Sequence, residues 1–555
     1  MAIAPNWIKN ASIYEIYSLT FRNGGVGGAD VKDQDPFYGD LKGVRDELGY
    51  IQQLNMDALW LTPIYESPLK DGFGYNISNY KKIHPLLGSD QDFDDLVKDA
   101  HDRGLKVIMD LVFAHTSDQH EWFKQSRRSK DATNNPYADF YVWKDPVIDG
   151  EGRRQPPNNW RSMDTQAPGA WEWCEERQQY YLHYFNRSMP VLNLENEAVQ
   201  EALLEVARFW LDRGVDGFRM DAVSHMGHDS QFRDEPVYEG GQGWAGMNHI
   251  YTTAQPVAKE FLKKLNAMLK ARPDKVLPAD PDNPYKPGLL GEVMGHPEFA
   301  AELVREGALD TAYTGTLMGN LANFRQIVED AFKGGEYNDS INWAMTSHDS
   351  VRVLDRTFGE SAKPQHAVLY AGMLASLPGS VCLFQGEELA LRQARLADVK
   401  VPDPLGLNDS FMGEIDASRA ALPWSDGAND KVWMKAAPVN KVLSPESQEG
   451  RKDSPLEQIR DLFALRKDSS ALRDFRKPYF VETHNPEVMA YVRTAAEGKR
   501  NILCLFNFSS HAWKTHATLE GQVIDVNLPA LDAVLQPFKA SADKIPGMRI
   551  DLTAT

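Results

Sequence analysis

A parallel (β/α)8 barrel is the fold this sequence predicts, with a loop-rich domain inserted after the third strand and a C-terminal antiparallel β domain. Two observations predict it. Short apolar or β-branched runs recur along the chain, separated by stretches long enough for a helix and a return, which is βα repetition. Four of these runs lead into acidic residues: Asp110-Leu-Val-Phe-Ala-His115, Gly217-Phe-Arg-Met-Asp221, Gly291-Glu292 and Ser347-His348-Asp349. Active sites of barrels sit at the carboxyl ends of their strands, so the second observation also predicts an enzyme.

The barrel opens with Ile13-Tyr-Glu-Ile-Tyr17, continues with Ala58 to Tyr65, then Lys106 to Val112. Residues from about 116 to 189 break the rhythm; they are rich in Trp, Pro, Asn and charge, and read as an excursion after the third strand. An amphipathic helix from Glu197 to Arg213 returns the chain to Gly217, and a helix from Leu456 to Leu472 closes the barrel. Beyond it, Val481 to Thr494 and Ile502 to Phe508 alternate as strands, with Asn485-Pro486 as turn residues. The expected division is residues 1–115 and 190–465 for the barrel, 116–189 for the insertion and 466–555 for the C-terminal β domain.

Composition narrows the partners. The 555 residues carry 60 basic and 79 acidic side chains, a net charge of −19, which argues against nucleic acid or an anionic membrane and for a small neutral substrate. There is no run of 18 apolar residues and no basic segment leading into an apolar stretch at the amino terminus, so a cytoplasmic location is expected. Cys174, Cys382 and Cys504 are too few and too scattered for a disulfide framework or a metal cluster and read as packing residues. Oligomeric state is not legible.

The four acidic segments, in this order, resemble the signature regions of the α-amylase family of glycoside hydrolases. Met189-Pro-Val-Leu-Asn193 is similar to a further short signature, and Gln385-Gly-Glu-Glu388 to a common strand end. Similarity is greater to the exo-acting branch, the α-glucosidases and oligo-1,6-glucosidases. It is carried by Lys70-Asp71 through Gly74-Tyr75, by His115 to Phe123, by Pro156-Pro-Asn-Asn-Trp160 and by Gly169-Ala-Trp171, and covers roughly the first 465 residues.

Cleaving an acetal takes two carboxyl groups, one to attack or stabilise the sugar carbon and one to protonate the leaving oxygen. Asp221 and Glu292 fit those roles, and the resemblance implies retention, with Asp221 as nucleophile and Glu292 as acid, then base. Arg219, two residues earlier on the same strand, shares a face with Asp221 and can keep it ionised. Asp349 is the third carboxylate, and His348 and His115 donate hydrogen bonds to the same sugar. By resemblance Asp71 and Tyr75 close the pocket and Arg419 binds the terminal glucose, with a surface salt bridge as the alternative for Arg419.

Any one Asp or Glu after an apolar strand could merely cap the next helix; four in order favour a site. The implied activity is hydrolysis of short α-glucosides from the non-reducing end. Ala222 implies an α-1,4 preference, as in maltose, because valine after the nucleophile accompanies α-1,6 activity in similar enzymes. A transglucosidase or a sucrose or maltose isomerase remains open, the segment Arg352 to Arg356 bearing a faint likeness to an isomerase loop. A non-catalytic transporter-associated barrel is the remote alternative. No cofactor or metal is expected. Ala114 and Ser347 stand where the family has asparagines, and Asn23 to Asp30 lacks the alternating carboxylates of a calcium loop. His225 and His228 read as an acceptor-side loop, with a structural or metal role as alternatives.

Overall fold

The computed structural model describes residues 6–25, 39–68, 74–164, 167–319, 321–332, 341–394, 417–425, 440 and 442–554. Eight parallel strands form its centre: β1 (Ser12–Ile16), β2 (Ala58–Leu61), β3 (Lys106–Leu111), β4 (Gly217–Met220), β5 (Gly288–Glu292), β6 (Thr311–Tyr313), β7 (Asn342–Ala344) and β8 (Ser380–Phe384). They pair in the order β6-β5-β4-β3-β2-β1-β8-β7. A parallel bridge between Ala312 and Ile341 joins the two ends, closing the barrel. Almost every strand residue is buried, as parallel strands covered on both faces require.

The βα rhythm has a local cause. Ser89 and Asp92 form a reciprocal capping box that starts the helix Asp90–Asp102, and Asn196 caps Glu197–Asp212. Both helices stop at a glycine in the left-handed region, Gly104 (φ 77°) and Gly214 (φ 101°), which turns the chain directly into the next strand. Apolar faces of these helices, including Phe93, Leu96, Leu203, Ala207 and Trp210, pack on the outside of the barrel in one continuous core.

The excursion after β3 carries a helix, Glu121–Ser126, and a three-stranded antiparallel sheet of Trp143–Lys144, Trp171–Cys174 and Gln179–Leu182. Isolated bridges His115–Val191 and Tyr141–Leu192 fasten it to the barrel mouth. Its tryptophans dock the loop after β4: Trp160 stacks on Trp171, and the Trp160 indole N–H donates to the Arg233 carbonyl at 2.8 Å.

The C-terminal part holds strands β9 (Tyr479–Val481), β10 (Val488–Arg493), β11 (Asn501–Asn507), β12 (Trp513–Leu519), β13 (Gln522–Leu528), β14 (Ala533–Phe538) and β15 (Arg549–Ala554). They form two antiparallel sheets, ordered β9-β10-β11-β14 and β13-β12-β15, around a core including Leu503, Leu505, Ala517 and Leu528. One expectation is corrected here. Val481 to Thr494 is not a single strand; Asn485-Pro486 lies within it and separates β9 from β10, because a proline cannot donate to the ladder between paired strands. The closing helix runs from Pro455 to Asp468.

Candidate active site

The strand ends converge on one guanidinium. Arg219 and Asp110 lie opposite each other on neighbouring strands β4 and β3, so their side chains meet inside the barrel mouth. Arg219 Nη1 binds Asp110 at 2.7 Å and Asp221 at 2.6 Å, and Nη2 binds Glu292 at 2.6 Å and donates to the Tyr313 hydroxyl oxygen at 2.7 Å. The guanidinium is fully buried and lies over Trp60 at 5.0 Å. Planar, five-donor geometry lets arginine hold several carboxylates in fixed relation, which a lysine could not do.

Around Glu292 the contacts are asymmetric. Oε2 accepts from Arg219 and from the Ala222 backbone N–H at 2.9 Å, leaving Oε1 as the oxygen that can present a proton. Ala222 donates that bond from a left-handed conformation, φ 43° and ψ 44°, at a sharp turn off β4. Burial pushes the Glu292 carboxyl up to about 7, with Arg219 opposing and the Asp221 and Asp349 charges adding to the rise. Burial also raises Asp221, to about 6, again against Arg219. Of the two, Glu292 is the group that keeps the proton as pH rises.

Asp349 is held differently. Its carboxyl faces His348 Nε2 at 2.9 Å and the Arg419 guanidinium, while Arg419 Nε donates to the His348 carbonyl at 2.8 Å. Withdrawal from water raises Asp349, but the cations of His348 and Arg419 outweigh it and hold the carboxyl far below its ordinary range. Burial lowers His348, and the neighbouring carboxylates of Asp349 and Glu15 more than reverse this, lifting it to about 10. The Tyr75 ring stacks on His348 with centroids 5.3 Å apart, and its hydroxyl reaches Asp110 at 2.9 Å and His348 Nε2 at 2.6 Å.

Eight of the expected site residues are thus brought to one mouth: Asp221, Ala222, Glu292, Asp349, Arg219, His348, Tyr75 and Arg419. Arg419 is buried, so the surface alternative for it fails. His115 lies four residues beyond β3, where Nε2 contacts the Tyr75 carbonyl at 3.1 Å; burial lowers it to about 4, so it is neutral. Asp71 and residues 26–30 of the stretch Asn23 to Asp30 lie outside the described residues.

In the Arg352 to Arg356 segment both arginines bond to backbone carbonyls. Arg352 donates to the carbonyls of Gln385 and Ser418, and Arg356 to those of Leu317 and Met345. Both arginines tie loops together. His225 sits among Tyr184, Phe185 and Trp244, and His228 against Trp160 and Phe232. Among the described residues no group of three His, Cys, Asp or Glu is placed to share a metal ion.

Sequence reasoning missed three members of this site. Asp110 opened the first segment but was given no partner; its register opposite Arg219 supplies one. Tyr313 carried no signal. Glu15 did: an acid inside the apolar run Ile13 to Tyr17 is out of place unless something inside the barrel needs it.

Similarity to known proteins extends over most of the chain. The chain is 36% identical over 532 residues to a probable α-glucosidase of Rhizobium meliloti (strain 1021), covering 91% of this chain and 90% of that one. It is 31% identical over 545 residues to an oligo-1,6-glucosidase of Heyndrickxia coagulans, covering 88% and 90%. A solved α-glucosyl transfer enzyme superposes with a TM-score of 0.80 at 33% identity, covering 96% of this chain and 99% of its own. Residues 15–474 match the model of the α-amylase catalytic domain, and with a converging set of strand-end carboxyls on an eight-stranded barrel, the chain belongs to the α-amylase family.

Proposed function

We propose that this protein is a retaining α-glucosidase that releases glucose from the non-reducing end of short α-glucosides. The observation that carries the reading is the single Arg219 guanidinium bound by both Asp221 and Glu292. Carboxyl groups sharing one guanidinium sit close together, which suits a retaining pair at roughly 5–5.5 Å rather than the wider gap that admits a water.

In the first step Asp221 attacks the anomeric carbon while Glu292 gives its proton to the departing glycosidic oxygen, forming a β-glucosyl ester. In the second, Glu292 takes a proton from water, which attacks the same carbon and frees Asp221. Asp349, between His348 and Arg419, accepts hydroxyl hydrogen bonds from the sugar, and Tyr75, His115 and Asp71 complete the closed end. Ala222 favours α-1,4 linkages. The chemistry runs on side chains and needs no cofactor. The division into a barrel of 1–115 and 190–465, an insertion of 116–189 and a β domain of 466–555 belongs to the same reading. So does a cytoplasmic location, which the three free thiols suit.

A second reading, transfer of the glucosyl group to another sugar, is favoured by the likeness to an α-glucosyl transfer enzyme. Both share the ester intermediate and differ in what intercepts it. Time courses with maltose, isomaltose, sucrose, trehalose, kojibiose and nigerose test the proposal: glucose released from maltose as the main product supports hydrolysis, and larger sugars accumulating early support transfer. No reaction with any of the six would overturn both.

A further inference from the structure

Glu15 lies at the centre of the barrel wall, on β1, paired with Trp60 on one side and Phe384 on the other, and has no exposed surface. A carboxyl so placed is costly unless an opposite charge answers it. The answer is His348. Glu15 Oε1 accepts from the His348 backbone N–H at 3.1 Å and meets ring Nδ1 at 2.5 Å, while Oε2 has no hydrogen-bond partner among the described residues.

The other ring nitrogen, Nε2, faces the Asp349 carboxyl at 2.9 Å and the Tyr75 hydroxyl at 2.6 Å. Carboxylates only accept hydrogen bonds, so an imidazole between two of them must carry a proton on each nitrogen. The rings of Tyr17 and Tyr75 stack on the imidazole at 6.2 and 5.3 Å, and Trp60 meets it edge-on at 5.9 Å. The groups facing His348 are then Glu15 and Tyr17 from β1 and its end, Asp110 from β3, Tyr75, its own neighbour Asp349, and Arg419, which reaches its carbonyl. Of the acids among the described residues, Glu15 alone meets Nδ1.

We propose that Glu15 is a positioning residue of the glucosyl site: it keeps His348 doubly protonated and in register, and through that cation keeps Asp349 ionised and aimed at the sugar. Glu15 touches no substrate itself. The inference rests on the α-glucosidase reading. It explains an acid buried beneath the mouth that the two-carboxyl mechanism does not use.

The test is the pH dependence of p-nitrophenyl α-glucoside hydrolysis by the wild type, Glu15→Gln and Glu15→Asp. In the wild type the alkaline limb of log kcat/KM reflects loss of the Glu292 proton alone, with a slope of about −1. In Glu15→Gln His348 keeps Asp349 but loses the carboxylate at Nδ1, which brings its titration down into the working range. The limb steepens toward a slope of about −2, and KM rises about tenfold or more between about pH 7 and about pH 9 while wild-type KM holds. Glu15→Asp keeps the charge but draws it back from the ring, so its extra limb appears at higher pH. Profiles parallel to wild type at every pH in both variants, or in Glu15→Asp alone should Glu15→Gln not fold, would overturn the inference and make Glu15 a packing residue. A wild type inactive on the glucoside would instead sink the functional reading.

Discussion

At the scale of single residues, the site separates two carboxyls by what surrounds them. Asp221 at about 6 and Glu292 at about 7 predict a narrow bell for kcat/KM: activity rises as Asp221 loses its proton and falls as Glu292 loses its own. Steady-state kinetics across pH 4 to 9 check this, with Glu292→Gln expected to abolish the alkaline limb along with most of the rate. Ala222 is the other telling position. Its left-handed backbone and its bond to Glu292 mean that Ala222→Val adds backbone strain to added bulk. A β-branched residue tolerates that conformation worse than alanine does, and steric rejection in the pocket adds ~1–3 kcal/mol against the α-1,4 substrate. We expect a lowered Tm together with a fall in kcat/KM on maltose of about tenfold relative to isomaltose. Equal losses on both sugars would make position 222 a geometric hinge for Glu292 and not a linkage selector.

At the scale of elements, β4 is anchored at its amino end as firmly as at its catalytic end. Fully buried Asp216 accepts from His101 at 2.7 Å, Tyr285 at 2.7 Å and the Val107 backbone N–H at 2.8 Å, and pairs with Lys275. These partners come from the helix before β3, from β3 itself and from the hairpin before β5, so one carboxylate staples three βα units. Burial would raise it, but Lys275 and His101 outweigh burial and hold it far below the ordinary range. A depressed folded-state value stabilises the fold above the unfolded-state value and is lost as pH falls. Asp216→Asn should therefore lose about 3–5 kcal/mol in denaturant unfolding at neutral pH. The gap to wild type should narrow below about pH 4. A gap constant with pH would show that shape, not charge, matters there.

Such staples explain what was legible in the sequence and what was not. Strands and helices with strong period and caps, such as β3 and Glu197–Asp212, announce themselves locally. So did Asp221 and Glu292, because each ends an apolar run. Asp110 and Tyr313 owe their place to register between strands distant in sequence, which no local pattern encodes. The Asn485-Pro486 turn was visible, yet which two strands it joins depended on which neighbours paired.

At the scale of the whole molecule, the C-terminal sheets are not an independent appendage. Tyr491, Cys504, Phe506 and Leu535 belong to the same core as the barrel helices. The Tyr491 hydroxyl meets Ser376 Oγ at 2.6 Å at the end of the buried helix Pro364–Ser376, and Arg493 donates to the Ser376 carbonyl. A chain ending at Asp474 would leave that helix face bare, a large apolar patch of the kind that drives aggregation. We expect it to be insoluble, and the full chain to unfold in one calorimetric transition; a soluble, active truncation would show the barrel to be self-sufficient.

The central claim is that Asp221 attacks and Glu292 transfers the proton, and azide with an activated α-glucoside tests it most directly. Glu292→Ala still forms the β-glucosyl ester, so azide replaces water in the second step and gives α-glucosyl azide. Asp221→Gly lacks the nucleophile, so azide takes its place on the opposite face and gives β-glucosyl azide. Those two products, each from a variant otherwise slowed by orders of magnitude, are the predicted result. Reversed anomers, or either variant keeping more than about a tenth of the wild-type rate without azide, would contradict it.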